Sequence, residues 1–163
     1  MARGIVLTDA SPLIGLARVD GLPWLKALFG EVWMPIEVRR EALTDKESPE
    51  EASIRLAEAE GWLKTCGASP DLPELPELDE GEASCIRFAL TQEIPALLLM
   101  DERAGRAVAA EHGLRVAGTA AVIGMAKSRQ LTGSARTIFE RLHASDFRIS
   151  AQVISAVLRR VGE

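Results

Sequence analysis

The sequence predicts an α/β fold: a single-domain three-layer sandwich built on a parallel sheet of about five strands, with further helices at the C-terminal end. Two observations lead to this prediction. Short apolar segments alternate with longer segments of helical periodicity, the pattern of parallel strands joined by crossover helices. With 163 residues, of which 47% are hydrophobic and 26% charged, the chain has the length and composition of one globular domain, residues 1–163.

Five short apolar runs are the predicted strands. The first, from Gly4 to Thr8, is short, apolar and β-branched, as expected for a buried strand. If this strand is central and the next two extend to one side of it, the fourth must pair on the other side, which gives the order 3-2-1-4-5. The predicted strands are residues 4–8, 31–34, 62–65, 95–100 and 114–117.

Capping residues mark the starts of several predicted helices. Ser11-Pro12 places a good N-cap before a proline suited to the first helical position. Ser48-Pro49-Glu50-Glu51 has the pattern of a capping box, and Thr119 is a third candidate cap. The predicted helices are residues 11–20, 23–29, 35–43, 48–60, 79–92, 102–112, 119–128, 134–143 and 150–161.

The composition argues against several classes of protein. No apolar run approaches the roughly 18 residues that a membrane helix needs, and the N-terminus lacks a signal-peptide pattern, so we expect a cytoplasmic protein with no membrane partner. The two cysteines, Cys66 and Cys85, are too few to indicate a disulfide framework. A net charge of -5 argues weakly against a protein that wraps nucleic acid by bulk attraction.

The net charge conceals a difference between the two parts of the chain. Residues 1–102 carry 9 Lys/Arg and 20 Asp/Glu, a balance of -11, whereas residues 103–163 carry 10 Lys/Arg and 4 Asp/Glu, a balance of +6. The second part could present a basic surface beside an acidic cleft, or the imbalance could be spread over solvated helix faces. Apolar stripes on the last two predicted helices suit packing on the core or in a homodimer.

Four carboxylates are expected at one edge of the sheet. Asp9 and Asp101 each end an apolar strand, and Glu41 and Glu82 fall in flanking helices. In open α/β sheets ligands bind outside the carboxyl ends of the strands, at the switch point between the first and fourth strands in this order. Carboxylates placed so close together need a cation to stay ionised, and a site of oxygen ligands favours Mg²⁺ or Mn²⁺.

Each acid also has a purely structural interpretation. Asp101 could be the N-cap of the helix that follows it, and Asp79 and Glu82 together have the pattern of a capping box. Glu41 could pair with the arginines that precede it, Arg39 and Arg40. The pattern of all four acids at strand ends or first helical turns favours the metal interpretation.

These residues lie in segments that resemble the motifs of PIN-domain nucleases. Thr8-Asp9-Ala10-Ser11-Pro12-Leu13-Ile14 is similar to the opening motif of the subgroup with Asp-x-Ser-Pro-Leu-Ile, and Pro35-Ile36-Glu37-Val38-Arg39-Arg40-Glu41 to the second motif. Leu78-Asp79-Glu80-Gly81-Glu82-Ala83 resembles the third, with Gly-Glu in place of the commoner Asp. Asp101-Glu102-Arg103-Ala104-Gly105-Arg106 and Val116-Ala117-Gly118-Thr119 resemble later motifs.

The resemblance implies a PIN-like fold and a Mg²⁺- or Mn²⁺-dependent endoribonuclease, often the toxin of a toxin–antitoxin pair, with an RNA substrate and a small antitoxin as partners. By the same resemblance the metal ligands, direct or through water, are Asp9, Glu41, Glu82 and Asp101. Ser11 and Thr119 are supporting residues, and Ser11 is expected to hydrogen-bond Asp9. The resemblance also makes Glu102 a candidate additional ligand or a substitute for Asp101. Arg103 and Arg106 are candidates for contact with the substrate phosphate, and the alternative is that they form a solvated helix face.

One alternative remains open at the level of function. A non-catalytic PIN-like module that binds RNA or protein would have the same motifs. Substitution of Asp9 or Asp101 separates the two, because a binding module keeps its partner whereas a nuclease loses metal and turnover.

Overall fold

The computed structural model describes residues 4–163 and confirms the predicted fold class. Five parallel strands form one sheet in the order β3-β2-β1-β4-β5. Consecutive strand residues such as Leu98 and Leu99 are both fully buried, which shows that helices cover both faces of the sheet. The strands are β1 (Ile5–Thr8), β2 (Val32–Pro35), β3 (Leu63–Cys66), β4 (Ala96–Leu99) and β5 (Arg115–Ala117).

The helices agree with the predicted ones to within one or two residues at most boundaries. In chain order they are α1 (Ala10–Arg18), α2 (Leu22–Phe29), α3 (Ile36–Ala42), α4 (Pro49–Ala59), α5 (Glu80–Leu90), α6 (Arg103–Glu111), α7 (Thr119–Ser128), α8 (Ala135–Ala144) and α9 (Ala151–Arg160).

Two of the predicted N-caps are wrong, and for the same reason. Helix α1 begins at Ala10, so its N-cap is Asp9 and Ser11 lies one residue inside the helix. Helix α7 begins at Thr119 itself, with Gly118 as its N-cap. The hydroxyl groups of Ser11 and Thr119 both donate to the Asp101 carboxylate, which lies in the loop between β4 and α6, and they do not cap their own helices. A tertiary contact has overridden the local preference.

The two predicted capping boxes differ in outcome. Asp79 and Glu82 form a complete box at the start of α5, each side chain accepting from the other's backbone N–H. At α4 only half of the box forms, because the Ser48 hydroxyl accepts from the Glu51 N–H but the Glu51 carboxylate accepts from Thr44 and Asp45. Through these hydrogen bonds Glu51 fixes the loop that precedes α4.

The sheet register brings two of the predicted site residues, Asp9 and Asp101, to the same edge of the sheet. Thr8 pairs with Leu99, and the ladder continues past the strand ends through a 2.9 Å hydrogen bond from the Asp9 N–H to the Leu99 carbonyl. The Met100 N–H similarly donates to the Ala117 carbonyl at 2.9 Å. Since β2 lies on one side of β1 and β4 on the other, the crevice between β1 and β4 is the switch point of the sheet.

The C-terminal helices pack on this framework through α7. The predicted apolar stripe of α9 is confirmed: Leu158 is buried, and Ile154, Val157 and Val161 are half-buried against the core. The Val157 side chain of α9 packs directly on Gly124 of α7, where an added Cβ atom would lie 2.9 Å from Val157 Cγ1. Within residues 4–163, none of the helices has both the length and the apolar character required to cross a membrane.

Candidate metal centre

Asp9 and Glu82 are the two most buried carboxylates of the candidate site. The Asp9 side chain follows β1 directly and is 5% exposed, and its Oδ1 atom has no hydrogen-bond partner among the described residues. Burial raises the pKa of Asp9 to about 7, a shift that its backbone hydrogen bond at Ala10 opposes and that the nearby charges of Glu41, Asp79 and Asp101 increase. An unsatisfied buried carboxylate oxygen is costly, and a bound cation would remove the cost.

Gly81, in the first turn of α5, is surrounded by the carboxylates closest to Asp9. A Cβ atom added to it would lie 2.8 Å from Asp9 Oδ1, 2.7 Å from Glu41 Oε2 and 3.6 Å from Asp79 Oδ1. One carboxylate oxygen from each of these three acids lies within 4.8 Å of the other two. The absence of a side chain at Gly81 thus leaves open the space on which the three acids converge.

Glu41 and Asp79 are the exposed members of this group. Glu41 lies near the end of α3, and partial burial together with the charge of Asp79 raises its pKa. The predicted pairing with Arg39 does not occur, since Arg39 pairs with Glu58 at 2.7 Å. Among the described residues no Lys or Arg forms an ion pair with Asp9, Glu41 or Asp79.

Asp79 is the residue that the motif assignment missed. We predicted it only as a helix cap, and it does cap α5, accepting from the Glu82 N–H at 2.8 Å. The same carboxylate also belongs to the group around Gly81. The sequence signal was its position directly before the first turn of α5. A helix that leads into a parallel strand begins at the carboxyl edge of the sheet, which is where the site lies.

Glu82 lies deeper than these residues and points towards α6. It is 5% exposed, and its Oε2 atom has no hydrogen-bond partner among the described residues and lies against Gly105, next to the Met100 sulfur. Burial raises the pKa of Glu82 to about 7, with further contributions from Asp79 and the Asp9 charge. Glu82 completes the capping box that its structural interpretation predicts, and its Oε2 atom remains without a partner.

Asp101 contrasts with Asp9, because both of its oxygens are satisfied. Its Oδ1 accepts from the Thr119 N–H at 2.7 Å, and its Oδ2 accepts from the hydroxyls of Thr119 at 2.8 Å and Ser11 at 2.9 Å. The predicted hydrogen bond from Ser11 to Asp9 is therefore wrong, since Ser11 bonds Asp101. Asp101 does not cap α6, whose N-cap is Glu102; it binds the N-terminal turn of α7.

The remaining predicted residues lie at the rim. Glu102, Arg103 and Arg106 are exposed, and none of them forms a side-chain hydrogen bond or ion pair within residues 4–163. A Cβ atom on Gly118 would lie 2.7 Å from Arg106 Nη1 and 3.0 Å from Asp101 Oδ1, so the Arg106 guanidinium lies beside Asp101. A free cation here suits an anionic ligand that reaches the acids.

The donor set fits a hard divalent cation. All the candidate ligands are carboxylate oxygens, which Mg²⁺ and Mn²⁺ prefer. Asp9 and Glu82 each have a buried oxygen without a partner, and no Lys or Arg among the described residues forms an ion pair with either acid. Residues Asp9, Glu41 and Asp79 could hold such an ion directly, with Glu82 and Asp101 beside them.

Comparison with known proteins assigns the chain to a family. A family model described as a PIN domain matches residues 5–163. None of the curated proteins is significantly similar to the chain in sequence. Because the family model covers almost the whole chain and the fold agrees with it, the protein belongs to the PIN-domain family, whose members are generally nucleases.

Proposed function

We propose that the protein is a Mg²⁺- or Mn²⁺-dependent endoribonuclease that hydrolyses RNA phosphodiester bonds. The observation that carries this proposal is the Asp9 carboxylate, which is buried at the switch point of the sheet with one oxygen unpartnered and facing Glu41 and Asp79 across Gly81. Membership of the PIN-domain family supports nuclease chemistry, and the resemblance of the opening motif supports RNA as the substrate.

The proposed roles follow which carboxylates converge beside Gly81. Asp9, Glu41 and Asp79 would hold the cation directly, and Glu82 and Asp101, which lie beside this group, would act on it through water. When bound, Mg²⁺ or Mn²⁺ supplies Lewis acidity and a bound water of lowered pKa. Ser11 and Thr119 fix the orientation of Asp101. Glu102 is close enough in sequence to Asp101 to serve as an additional acid.

Arg103 and Arg106 are proposed to contact the scissile phosphate. Their side chains are exposed, begin on α6 next to Asp101, and have no carboxylate partner among the described residues. Arginine suits this role because its guanidinium donates to two phosphate oxygens at once. Of the two, Arg106 is favoured, since its Nη1 atom lies beside the Asp101 carboxylate over Gly118.

The proposal extends to a biological setting. The similarity of the first motif to the subgroup with Asp-x-Ser-Pro-Leu-Ile favours the toxin of a toxin–antitoxin pair, and a small antitoxin could block the site by placing an Arg or Lys among the acids. The positive charge of such an Arg or Lys would offset the repulsion between the carboxylates, as a metal ion would.

An RNA-cleavage assay tests the proposed activity. Purified protein is incubated with a mixed-sequence single-stranded RNA in Mn²⁺, Mg²⁺ or EDTA, and the products are resolved by length. We expect cleavage in either metal, none in EDTA, and a loss of at least 100-fold with Asp9→Asn. Asp71→Asn, which removes an exposed carboxylate from the loop of residues 67–78, is the matched control and should cleave normally.

The alternative function is a non-catalytic PIN-like module that binds RNA or protein. The observation that favours it is that Asp101 accepts three hydrogen bonds from Ser11 and Thr119, so this carboxylate has a structural role without a metal ion. If the wild type binds the RNA without cleaving it in any metal, and Asp9→Asn binds it equally well, the endoribonuclease proposal is wrong and the binding module takes its place.

A further inference from the structure

A groove with an apolar floor lies between three helices, on the C-terminal half of α7. Leu28 and Phe29 of α2 form one wall, Val157 of α9 forms the other, and Gly124 and Met125 of α7 lie between them. Its volume is about 330 Å³, at the lower end of the range of ligand pockets. Leu28, Phe29, Met125 and Val157 are all only half-buried, so the groove leaves apolar side chains accessible.

The rim of this groove is positively charged. Arg129 and Arg160 line it, both are exposed, and neither forms an ion pair among the described residues. The three helices that form the groove contain no Asp or Glu in their sequences. The cations that these helices carry or that directly follow them are Lys26, Lys127, Arg129, Arg159 and Arg160.

We infer that this groove is a docking site for an amphipathic helix of a partner protein, with an aliphatic face and acidic residues along its flanks. A groove between helices with an apolar floor is suited to the i, i+3, i+4, i+7 side chains of such a helix. Acidic flanks would meet Arg129 and Arg160, and complementary charge of this kind sets the choice of partner and the rate of encounter.

The chemistry of the floor argues against a nucleic acid as the occupant. Single-stranded RNA binds sequence-independently by stacking bases on aromatic side chains along a basic track. Among the described residues, Phe29 is the one aromatic side chain that lines the groove, and the other apolar groups are aliphatic. Aliphatic side chains of a partner would be buried more completely on this floor than ribose, phosphate or base edges would.

A second copy of the chain is also a poor match. A two-fold symmetric contact places the same patch on both sides. Because the helices that build the groove carry only positive charges, such a contact would bring Arg129 and Arg160 against their own equivalents. The inference does not depend on the proposed nuclease activity, since the groove contains none of the candidate metal ligands.

The test uses a displayed library of helical peptides with a fixed leucine stripe, in which each flanking position is either Glu or Lys. The full-length protein is the target, and sequencing gives the Glu-to-Lys ratio of bound peptides. We expect bound peptides to be enriched in Glu by about tenfold or more, and the enrichment to disappear with Arg129→Glu/Arg160→Glu. Met125→Glu, which places a charge on the floor, should abolish binding of the selected peptides.

Arg115→Glu/Arg148→Glu is the matched control. It makes the same change of net charge at two exposed positions that do not line the groove, and it should retain the wild-type enrichment. Thermal unfolding of every variant establishes that it is folded. The inference is wrong if Glu and Lys peptides bind equally, or if both double variants lose the enrichment to the same extent.

Two further outcomes would assign the groove to a different occupant and overturn the inference. In the first, wild-type protein is dimeric by light scattering and Met125→Glu is monomeric. In the second, a single-stranded RNA binds the wild type and Arg129→Glu/Arg160→Glu abolishes that binding while Arg115→Glu/Arg148→Glu does not.

Discussion

Asp9 and Asp101 lie on neighbouring strands at the same edge of the sheet, yet their surroundings are opposite. On the β1 side, Asp9 is buried with an unpartnered oxygen and faces two further carboxylates. On the β4 side, Asp101 accepts three hydrogen bonds from Ser11 and Thr119. The position of an acid at a strand end therefore does not decide its role. The role depends on which hydrogen-bond donors reach the carboxylate.

Replacing Gly81 with alanine is expected to have the largest effect on the Asp9 side. The new methyl group would lie within 2.8 Å of both Asp9 Oδ1 and Glu41 Oε2, so the carboxylates must separate. We expect Mn²⁺ affinity, measured by titration calorimetry, to fall by about 100-fold. The fold should be retained, because alanine is a better helix former than glycine by about 1 kcal/mol.

Gly67→Ala is the control for this change. Apart from its chain neighbours, none of residues 4–163 has an atom within 4 Å of the position that its Cβ would occupy, so Mn²⁺ affinity should stay at the wild-type value. Equal affinity of wild type and Gly81→Ala would show that the cation does not bind in the space beside Gly81.

On the other side, Asp101→Ala is expected to destabilise the protein whether or not metal is present. The change leaves the Thr119 N–H and two hydroxyl groups without their acceptor, and hydrogen bonds to charged groups contribute about 1.5–3 kcal/mol. Urea unfolding in EDTA should show a loss of about 2 kcal/mol. Unchanged stability would mean that Asp101 does not anchor α7.

The pH dependence of stability should report on the burial of Asp9. Asp9 has a pKa of about 7 in the folded protein and an ordinary value of 3.8, so folding takes up a proton between these pH values. The unfolding free energy of the metal-free protein should therefore fall as the pH rises from about 4 to about 7, by up to about 1.4 kcal/mol per pH unit for each such group.

Asp9→Asn should flatten this dependence, because it removes one of the two acids with a pKa near 7; Glu82 is the other. The measurement is urea unfolding in EDTA at pH 5, 6, 7 and 8. An equally steep dependence in Asp9→Asn would show that Asp9 ionises normally in the folded protein.

Ser11→Ala should have the smallest effect. It removes one of the three donors to Asp101 and leaves the two from Thr119 in place. We expect a loss of about 1 kcal/mol in urea unfolding, and no change in the pKa of Asp9. A change in metal affinity as large as that of Gly81→Ala would instead place Ser11 in the metal site.

Much of the fold could be predicted from local patterns. Alternating apolar runs and capped helices gave the elements, and the pairing of β4 on the free side of β1 followed from the connection rules. Asp9 was placed correctly at the sheet edge because β1 ends at Thr8.

The details of the site depended on contacts between distant parts of the chain. Ser11 and Asp101 are 90 residues apart, and nothing local indicates that this hydroxyl turns away from Asp9. Asp79 was predicted as a cap because a capping box is a complete local explanation, and its second role requires α3 to bring Glu41 alongside. The importance of Gly81 is likewise visible only when the three carboxylates are seen around it.

Thermal unfolding of the wild type and Asp9→Asn, with and without Mn²⁺ at pH 8, tests most directly whether Asp9 is the centre of a metal site. A ligand at 100 times its Kd stabilises by about 2.7 kcal/mol, which in a protein of this size raises Tm by about 5–11 °C. We predict this rise for the wild type and none for Asp9→Asn, which in EDTA should melt above the wild type because a buried charge is gone. A Mn²⁺-dependent rise of equal size in Asp9→Asn, or no rise in the wild type, would contradict the account.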